Sequence, residues 1–478
     1  MPIRIPETTD RMASERSGNL SDGVLLEIIA RGNKDNYFIG KTIEESVNPF
    51  ETRYARRPGF INELRHTTPI NAPNFGRVCE FEFDIAGDVF RNATLLIDLP
   101  TWFPPREANL NLTGDATILT PSGRAYGYTR GIGYFLFSKI EIFQDKILLQ
   151  EISGDGLWGS RLSRGTLNSA WLDQAVTGMK GLGGTAVDLS RQATPGRLRL
   201  PLPMLGGARG VPSIGMRGQA FRLKVYLRPL EECIECSDDA VVSPAPWTEP
   251  AFRVTMSDGS GTYTIAPLAR EAIEAPVITL ETQHTYLEEQ SRRCLETMSH
   301  EIPYSVMYEN DTTFGGLDYN GVASTFTREL NAEHPASRMF WFLRTRDDLR
   351  RNRRWATSSP TNNPYYTSLS LIIAGRDRES TFDAQIWDTL VPFSKEERDP
   401  GFSIGEMNWD LDVISKRLDV PQGSINFTTA TKPNILINLR NPDTGQTFDT
   451  KVVEMTAVIE SWTLFCIERG RGFTRFTN

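Results

Sequence analysis

Histidine is scarce in this chain, with four in 478 residues. They stand at His66, His284, His300 and His334, and no two are paired at metal-ligand spacing. Neither G-x-S-x-G nor H-E-x-x-H occurs, so the commonest sequence-legible hydrolase sites are missing. Cysteine is also sparse and odd in number, five in all: Cys79, Cys233, Cys236, Cys294 and Cys466. That count fits reduced thiols better than a disulfide framework. Cys233 and Cys236 form a C-x-x-C, but zinc would need two more ligands at matching spacing. A redox pair would open a helix after a strand, whereas this pair follows Pro229 and runs into a Ser/Asp loop. No run of 18 apolar residues exists, so no membrane-spanning helix is expected, and the polar opening does not read as a signal peptide. Positive charge is not in excess. Lys and Arg number 52 against 60 Asp and Glu, and a net charge of −8 argues against a surface built to hold nucleic acid phosphate. No catalytic, cofactor or metal site is expected, and no enzyme activity.

What the chain does have is turns and alternation. Its 38 glycines and 29 prolines suit many short strands joined by turns. In "CEFEFDIAGD", Phe81, Phe83 and Ile85 alternate with Glu80, Glu82 and Asp84, a period of two with one face dry. "AFRLKVYLRP" repeats the pattern with Phe221, Leu223, Val225 and Leu227. "ATLLIDLP", "SKIEIFQ", "SRMFWFLR", "LSLIIAG", "NILINLR" and "VEMTAVIESWTLFCIE" are further strand candidates. Helix signals are few, the better ones being "DGLWGSRLS" and "HTYLEEQSRRCLETM" (284–298). The composition of 231–270, rich in Pro, Ser and Asp, predicts a linker between two halves. Such a pattern points to antiparallel sandwiches or barrels.

Three stretches invite a functional reading. "GNKDNYFIGKT" (32–42) ends like a phosphate loop, but Asp35 stands where the first glycine should be, and Pro49 interrupts any following helix. "KGLGGT" (180–185) has no helix signal after it. "RTRDDLRRNRRW" (344–355) could form an anion patch or a subunit contact through Arg350, Arg351, Arg353 and Arg354. It lacks the interleaved aromatics that would stack bases, and its arginines can pair with Asp347, Asp348 or a neighbouring subunit's carboxylates. A glycosidase carboxylate pair is not singled out by any spacing.

The first of these stretches finds another explanation. Read as G-x-x-D-x-x-x-x-G, Gly32, Asp35 and Gly40 precede "NPFETRYARRPGFINE" and "NFGRVCEFEFDIAGDVFRNATLLIDLP". This order resembles the N-terminal signature of the double jelly-roll major capsid proteins of nucleocytoplasmic large DNA viruses. The similarity continues through "SKIEIFQDKILLQEISGDGLWG", "LRLPLPMLGGARGVPSIGMRGQAFRLKVYLRP", "LNAEHPASRMFWFLR", "GSINFTTATKPNILINLR" and the closing "RGFTRFTN". It departs where the family's N-F-S-R is Asn426-Phe427-Thr428-Thr429, and in an arginine-heavy last turn at Arg469, Arg471 and Arg475.

The resemblance implies a mainly β chain with two consecutive eight-stranded antiparallel jelly rolls, long loops and a few short helices. Its expected divisions are an N-terminal arm at 1–23, a first jelly roll at 24–230, a linker at 231–270 and a second jelly roll at 271–478. Gly32, Asp35 and Gly40 then serve a structural turn. The implied function is that of a major capsid protein of a large icosahedral double-stranded DNA virus. A homotrimer would form a pseudo-hexagonal capsomer that tiles the shell. Implied partners are further trimers, minor capsid proteins, a penton protein at the vertices and an internal membrane on the inner face, without specific nucleic acid binding. The implied place is the virion, assembled in the host cytoplasm. A capsid-like scaffold, a minor capsomer paralogue and a carbohydrate-binding β-sandwich are the alternatives. Loops around 101–131, 160–197, 236–265 and 345–365 are expected to form outer towers or inter-barrel contacts.

Overall fold

A computed structural model describes residues 59–83, 87–163, 185–203, 210–216, 219–315, 324–359, 363–396, 404–410, 423–439 and 452–475. The turn expected at Gly32, Asp35 and Gly40 and the arm at 1–23 lie outside the described residues. The described strands belong to the unit Phe60–Asn478.

Alternation builds the first sandwich. In β2 (Val78–Phe83), Phe81 and Phe83 are buried and Glu82 is exposed; in β9 (Phe221–Leu227), Phe221, Leu223, Val225 and Leu227 are buried and Arg222 is exposed. These strands pair, and with β6 (Phe137–Gln144) and β7 (Ile147–Ile152) they form a sheet in the order β2-β9-β6-β7. The facing sheet runs β1-β13-β3-β8, from β1 (Phe60–Thr67), β13 (Val277–Leu287), β3 (Val89–Asp98) and β8 (Arg197–Pro201). Phe90 of β3 lies 5.7 Å from Phe83 and 5.8 Å from Phe221, joining the two inner faces.

The second sandwich has the same plan. One sheet runs β14-β22-β16-β19, from β14 (His300–Gly315), β22 (Val452–Glu468), β16 (Pro335–Thr345) and β19 (Gly405–Asn408). Two short strands extend it, β20 (Ile425–Asn426) on β16 and β23 (Arg471–Thr474) on β22. The other runs β15-β21-β17-β18, from β15 (Ser324–Glu329), β21 (Asn434–Leu439), β17 (Tyr366–Ile373) and β18 (Arg376–Asp383). Trp341 is fully buried between them, edge-on to Tyr366 at 6.3 Å and to Trp387 at 6.0 Å. All pairings are antiparallel. Each half is thus a two-layer sandwich with eight principal strands.

Two expectations are corrected by the pairing. Residues 231–270 are not a bare linker. They hold β10 (Ile234–Cys236), β11 (Phe252–Met256) and β12 (Thr262–Ile265), which pair with β5 (Tyr126–Tyr128) and β4 (Ala116–Leu119) in two small sheets. The loops at 101–131 and 236–265 therefore form one joint layer on the first half. Residues 277–287, expected in the second jelly roll, are β13, hydrogen-bonded between β1 and β3 of the first. The helix expected over 284–298 spans only Glu289–Thr297, because His284–Leu287 finish β13 and satisfy their backbone on β1 and β3.

Trp341 packs against two rings, Tyr366 and Trp387. Truncation to alanine should cost about 3–5 kcal/mol, read as a lower midpoint in denaturant unfolding with an unchanged slope.

Candidate functional site at the seam between the jelly rolls

A strand with one wet face alternates, but "SRMFWFLR" does not. The reason is that β16 is buried on both sides. Met339, Trp341 and Leu343 enter the core of the second sandwich. Phe340 and Phe342 point the other way and join the core of the first half, with Val458, Phe465 and Ile467 of β22. The sheet that closes the second sandwich is also the wall against which the first one packs.

The helix Gly154–Ser163 fills the angle between them. Trp158 meets Phe342 edge-on at 5.5 Å. Gly159 lets the helix come this close: a Cβ there would lie 2.7 Å from Phe342 Cε1 and 2.9 Å from Phe340 Cε2.

Beside this apolar contact sits a buried ion cluster centred on Asp155. Its carboxylate accepts from Arg228 of the first half at 2.6 Å, from Arg344 of the second half in a very short contact, and has Arg354 at 3.6 Å. Burial alone would raise this carboxyl. Arg344, Arg228 and Arg354 together outweigh it and hold Asp155 well below the usual carboxylate range. Burial in turn pulls Arg354 down. The guanidinium of Arg344 lies over the Phe342 ring at 5.0 Å and donates to Thr456 Oγ1 at 3.2 Å, and Thr456 donates to Asp311 at 2.8 Å.

A second carboxylate at the seam is held very differently. Glu309 on β14 accepts from the backbone N–H of Ser153 at 3.1 Å and from its hydroxyl at 2.5 Å. The same hydroxyl accepts from Gly156 N at 2.8 Å and so caps the helix start. Burial pushes Glu309 up to about 7, the Ser153 bond opposing, and the Asp311 and Asp155 charges adding to the rise. Glu309 faces a cleft of about 670 Å³ between β7 and β14, lined also by Gln150, Tyr304, Tyr308 and His334.

Two further points tie the halves together. The chain's last strand reaches back to the first sandwich, Gly472 N donating to Gln219 at 2.7 Å and Gly472 O accepting from Gln144 at 3.2 Å. The segment after β16 docks under the small sheets. Asn352, with φ +62°, donates to the carbonyls of Glu231 at 2.7 Å and Ile234 at 2.6 Å, while its own carbonyl accepts from Thr129 at 2.7 Å. Arg353 and the Trp355 indole both donate to Glu235 at 3.0 Å, and Arg130 stacks on Trp355 at 4.4 Å.

The arginine run is thereby largely accounted for. Arg353 pairs with Glu235 and Asp239, and Arg354 with Asp155 and Glu232. These are carboxylates of the same chain but of the other half, and Asp348 adds a charge interaction with Arg353. Arg350 is exposed, and its carbonyl accepts from Ser243 N at 3.0 Å; Arg351 is half-buried.

The scarce residues have local partners. Burial pushes the thiols of Cys79 and Cys233 up to about 12, so both stay protonated. His66 meets Glu281 at 3.1 Å, His284 meets Thr282 at 3.0 Å, and His300 meets the Leu295 carbonyl at 2.8 Å. Among the described residues no group of three or more His, Cys, Asp or Glu is placed to hold a metal. His334, with φ +68°, donates its N–H to Thr428 Oγ1 at 2.8 Å and its carbonyl accepts from Phe427 N at 3.1 Å. The His334-Pro335 and Asn426–Thr429 blocks, picked out separately in the sequence, thus form one corner.

Sequence reading missed Asp155, Glu309, Ser153 and Arg228. Ser153, Asp155 and Arg228 lie within family-like blocks that give no hint of ion pairing; the one available signal was the loss of alternation in β16, which marks a strand with no wet face. Asp155→Asn should cost about 3–5 kcal/mol at pH 7, because Arg344 loses its carboxylate and Arg228 and Arg354 keep only the half-exposed Glu232. The folded-state carboxyl is depressed, so this stabilisation is present above the ordinary carboxylate range and lost on acidification. The deficit of the variant should therefore shrink toward pH 2, as measured by urea unfolding across that range.

No protein-family model matches the sequence, and no curated protein does. Solved structures do match. PBCV-1 VP54, fitted into a reconstruction of the virophage Sputnik, aligns at TM-score 0.67 and 13% identity, covering 90% of this chain and 100% of that one. A quasi-atomic PBCV-1 capsid model aligns at TM-score 0.66, with the same identity and coverage. The Faustovirus major capsid protein aligns at TM-score 0.61 and 11% identity, covering 89% of this chain and 93% of that one. Two eight-stranded sandwiches in tandem, joined along one shared sheet and matched over about nine-tenths of the chain by these structures, give the chain the double jelly-roll fold of viral major capsid proteins.

Proposed function

We propose that the chain is a structural capsid protein of a large icosahedral double-stranded DNA virus, and that its homotrimer is the pseudo-hexagonal capsomer of the shell. The observation that carries this reading is the pair of complete sandwiches fused by a seam buried on both sides. Such a chain is a stiff block with two similar wedges, so three copies present six wedges around a three-fold axis and tile a flat facet. Likeness to PBCV-1 and Faustovirus capsid structures over about nine-tenths of the chain supports it.

Self-association also has apolar surface to draw on. Ile61 and Leu64 on β1 and Leu390 and Phe393 beyond β18 are exposed at 72%, 62%, 58% and 66%. Obligate homo-oligomers bury surface of this kind. Contacts between trimers are then more polar and salt-sensitive, and a role there for Arg350 belongs to this proposal. Minor capsid proteins, a penton protein and an internal membrane are the further partners, the membrane on the inner face with residues 1–23. Assembly takes place in the host cytoplasm. The chain works as a building block and not as an enzyme.

A capsid-like scaffold or a minor capsomer paralogue would share the block and differ in its abundance in mature particles. A glycan array separates the carbohydrate-binding alternative. Analytical ultracentrifugation should give a trimer, with hexagonal outlines in negative stain. Leu390→Glu together with Phe393→Glu should lower the trimer fraction at least tenfold at micromolar protein. A wild-type monomer at every concentration would overturn the reading.

A further inference from the structure

The seam holds two carboxylates from opposite halves, and only one of them has cations. Arg228, Arg344 and Arg354 all converge on Asp155. Lys139, the lysine at the cleft, is engaged with Glu141 at 2.7 Å and Glu151 at 2.8 Å. No ion pair joins Glu309 to a basic side chain among the described residues. Its partners are the two donors of Ser153, at the start of the helix that carries Asp155. The other titratable groups around it are Asp311, Tyr304 and Tyr308 on its own strand, Asp155 from the helix, Glu151 from β7, and Glu333 and His334 from the approach to β16. An ionised Glu309 therefore adds a third or fourth negative charge to a partly buried interface with every nearby cation already committed. The cleft of about 670 Å³ gives solvent protons a route to it.

We propose that Glu309 is a proton-controlled latch between the two jelly rolls: the seam closes over it when it takes up a proton and slackens when it gives the proton up. In the closed seam the neutral carboxyl still accepts from the Ser153 N–H, and it no longer repels Asp311 and Asp155. The released proton goes to solvent, so the device needs no other reactant. The direction is the reverse of the usual carboxylate case. Burial raises Glu309 from its ordinary 4.5 to about 7, so the closed seam binds more protons than the opened one across that interval. Opening must then rise with pH. If opening returns Glu309 to water, the opening equilibrium increases about 30-fold between pH 5.5 and 8.5. His334 does not set this interval: burial lowers it, so it is neutral through the upper part of the range. The latch stands apart from the capsid reading, since it concerns contacts within one chain.

Hydrogen exchange of the full chain, corrected for intrinsic rates, reads the seam through peptides spanning 148–160 and 304–312. The wild type should exchange there about 30-fold faster at pH 8.5 than at 5.5. Glu309→Gln should be protected and flat across the range, Asp311→Asn should move the midpoint to lower pH, and His334→Gln should keep the wild-type profile. A wild type without the slope, a Glu309→Gln protein that keeps it, or a His334→Gln protein that loses it overturns the proposal. Should Glu309→Gln fail to fold, the Asp311→Asn midpoint decides: a downward shift supports the latch, and an unchanged midpoint overturns it.

Discussion

Three guanidinium groups on one buried carboxylate fix how the two sandwiches dock. Asp155 draws Arg228 from the first half and Arg344 and Arg354 from the second, and it sits on the helix that fills the angle between the two sandwiches. A buried pair such as this adds little over a well-packed apolar contact. Its effect is on geometry, since each arginine has one position from which it can reach the carboxylate, and any other docking of the halves strands charges in the interior. The apolar contact of Trp158 and Gly159 with Phe340 and Phe342 supplies the adhesion, and the ion cluster selects the angle.

That arrangement explains an oddity of composition. A two-layer sandwich needs only one dry face per strand, yet β16 and much of β22 are buried on both. The outer face of that sheet is the inner wall of the joint, so the first-half core continues through Phe340, Phe342, Val458 and Ile467. Under the proposed capsid role, the angle between the two wedges is the quantity that decides whether a lattice closes flat. The seam is where the fold sets that angle.

The contrast between Asp155 and Glu309 follows from the same economy of cations. Asp155 is buried and Glu309 half-buried at one interface, but the arginines reach only the first, so Asp155 is held ionised while Glu309 is pushed toward its neutral form. Burial and neighbouring charge act on chemically similar groups and drive them apart.

Much of this was legible in the sequence alone. Period-two runs such as Phe81/Phe83 and Phe221/Leu223/Val225 place β2 and β9 to within a residue or two, because alternation is a local property of a strand with one wet face. The β class and the tandem organisation follow from that grammar and from the ordered family-like blocks. Partnership is what only the tertiary structure decided. β13 pairs with β1 across more than two hundred residues and so belongs to the first sandwich, although its position in the chain suggested the second. Residues 231–270 looked like a linker because Pro, Ser and Asp dominate them, and they became strands because β4 and β5 offered edges to pair with. The roles of Asp155, Glu309 and Arg354 were likewise invisible, since a charge's consequence depends on which opposite charges the fold brings beside it, and no spacing along the chain records that.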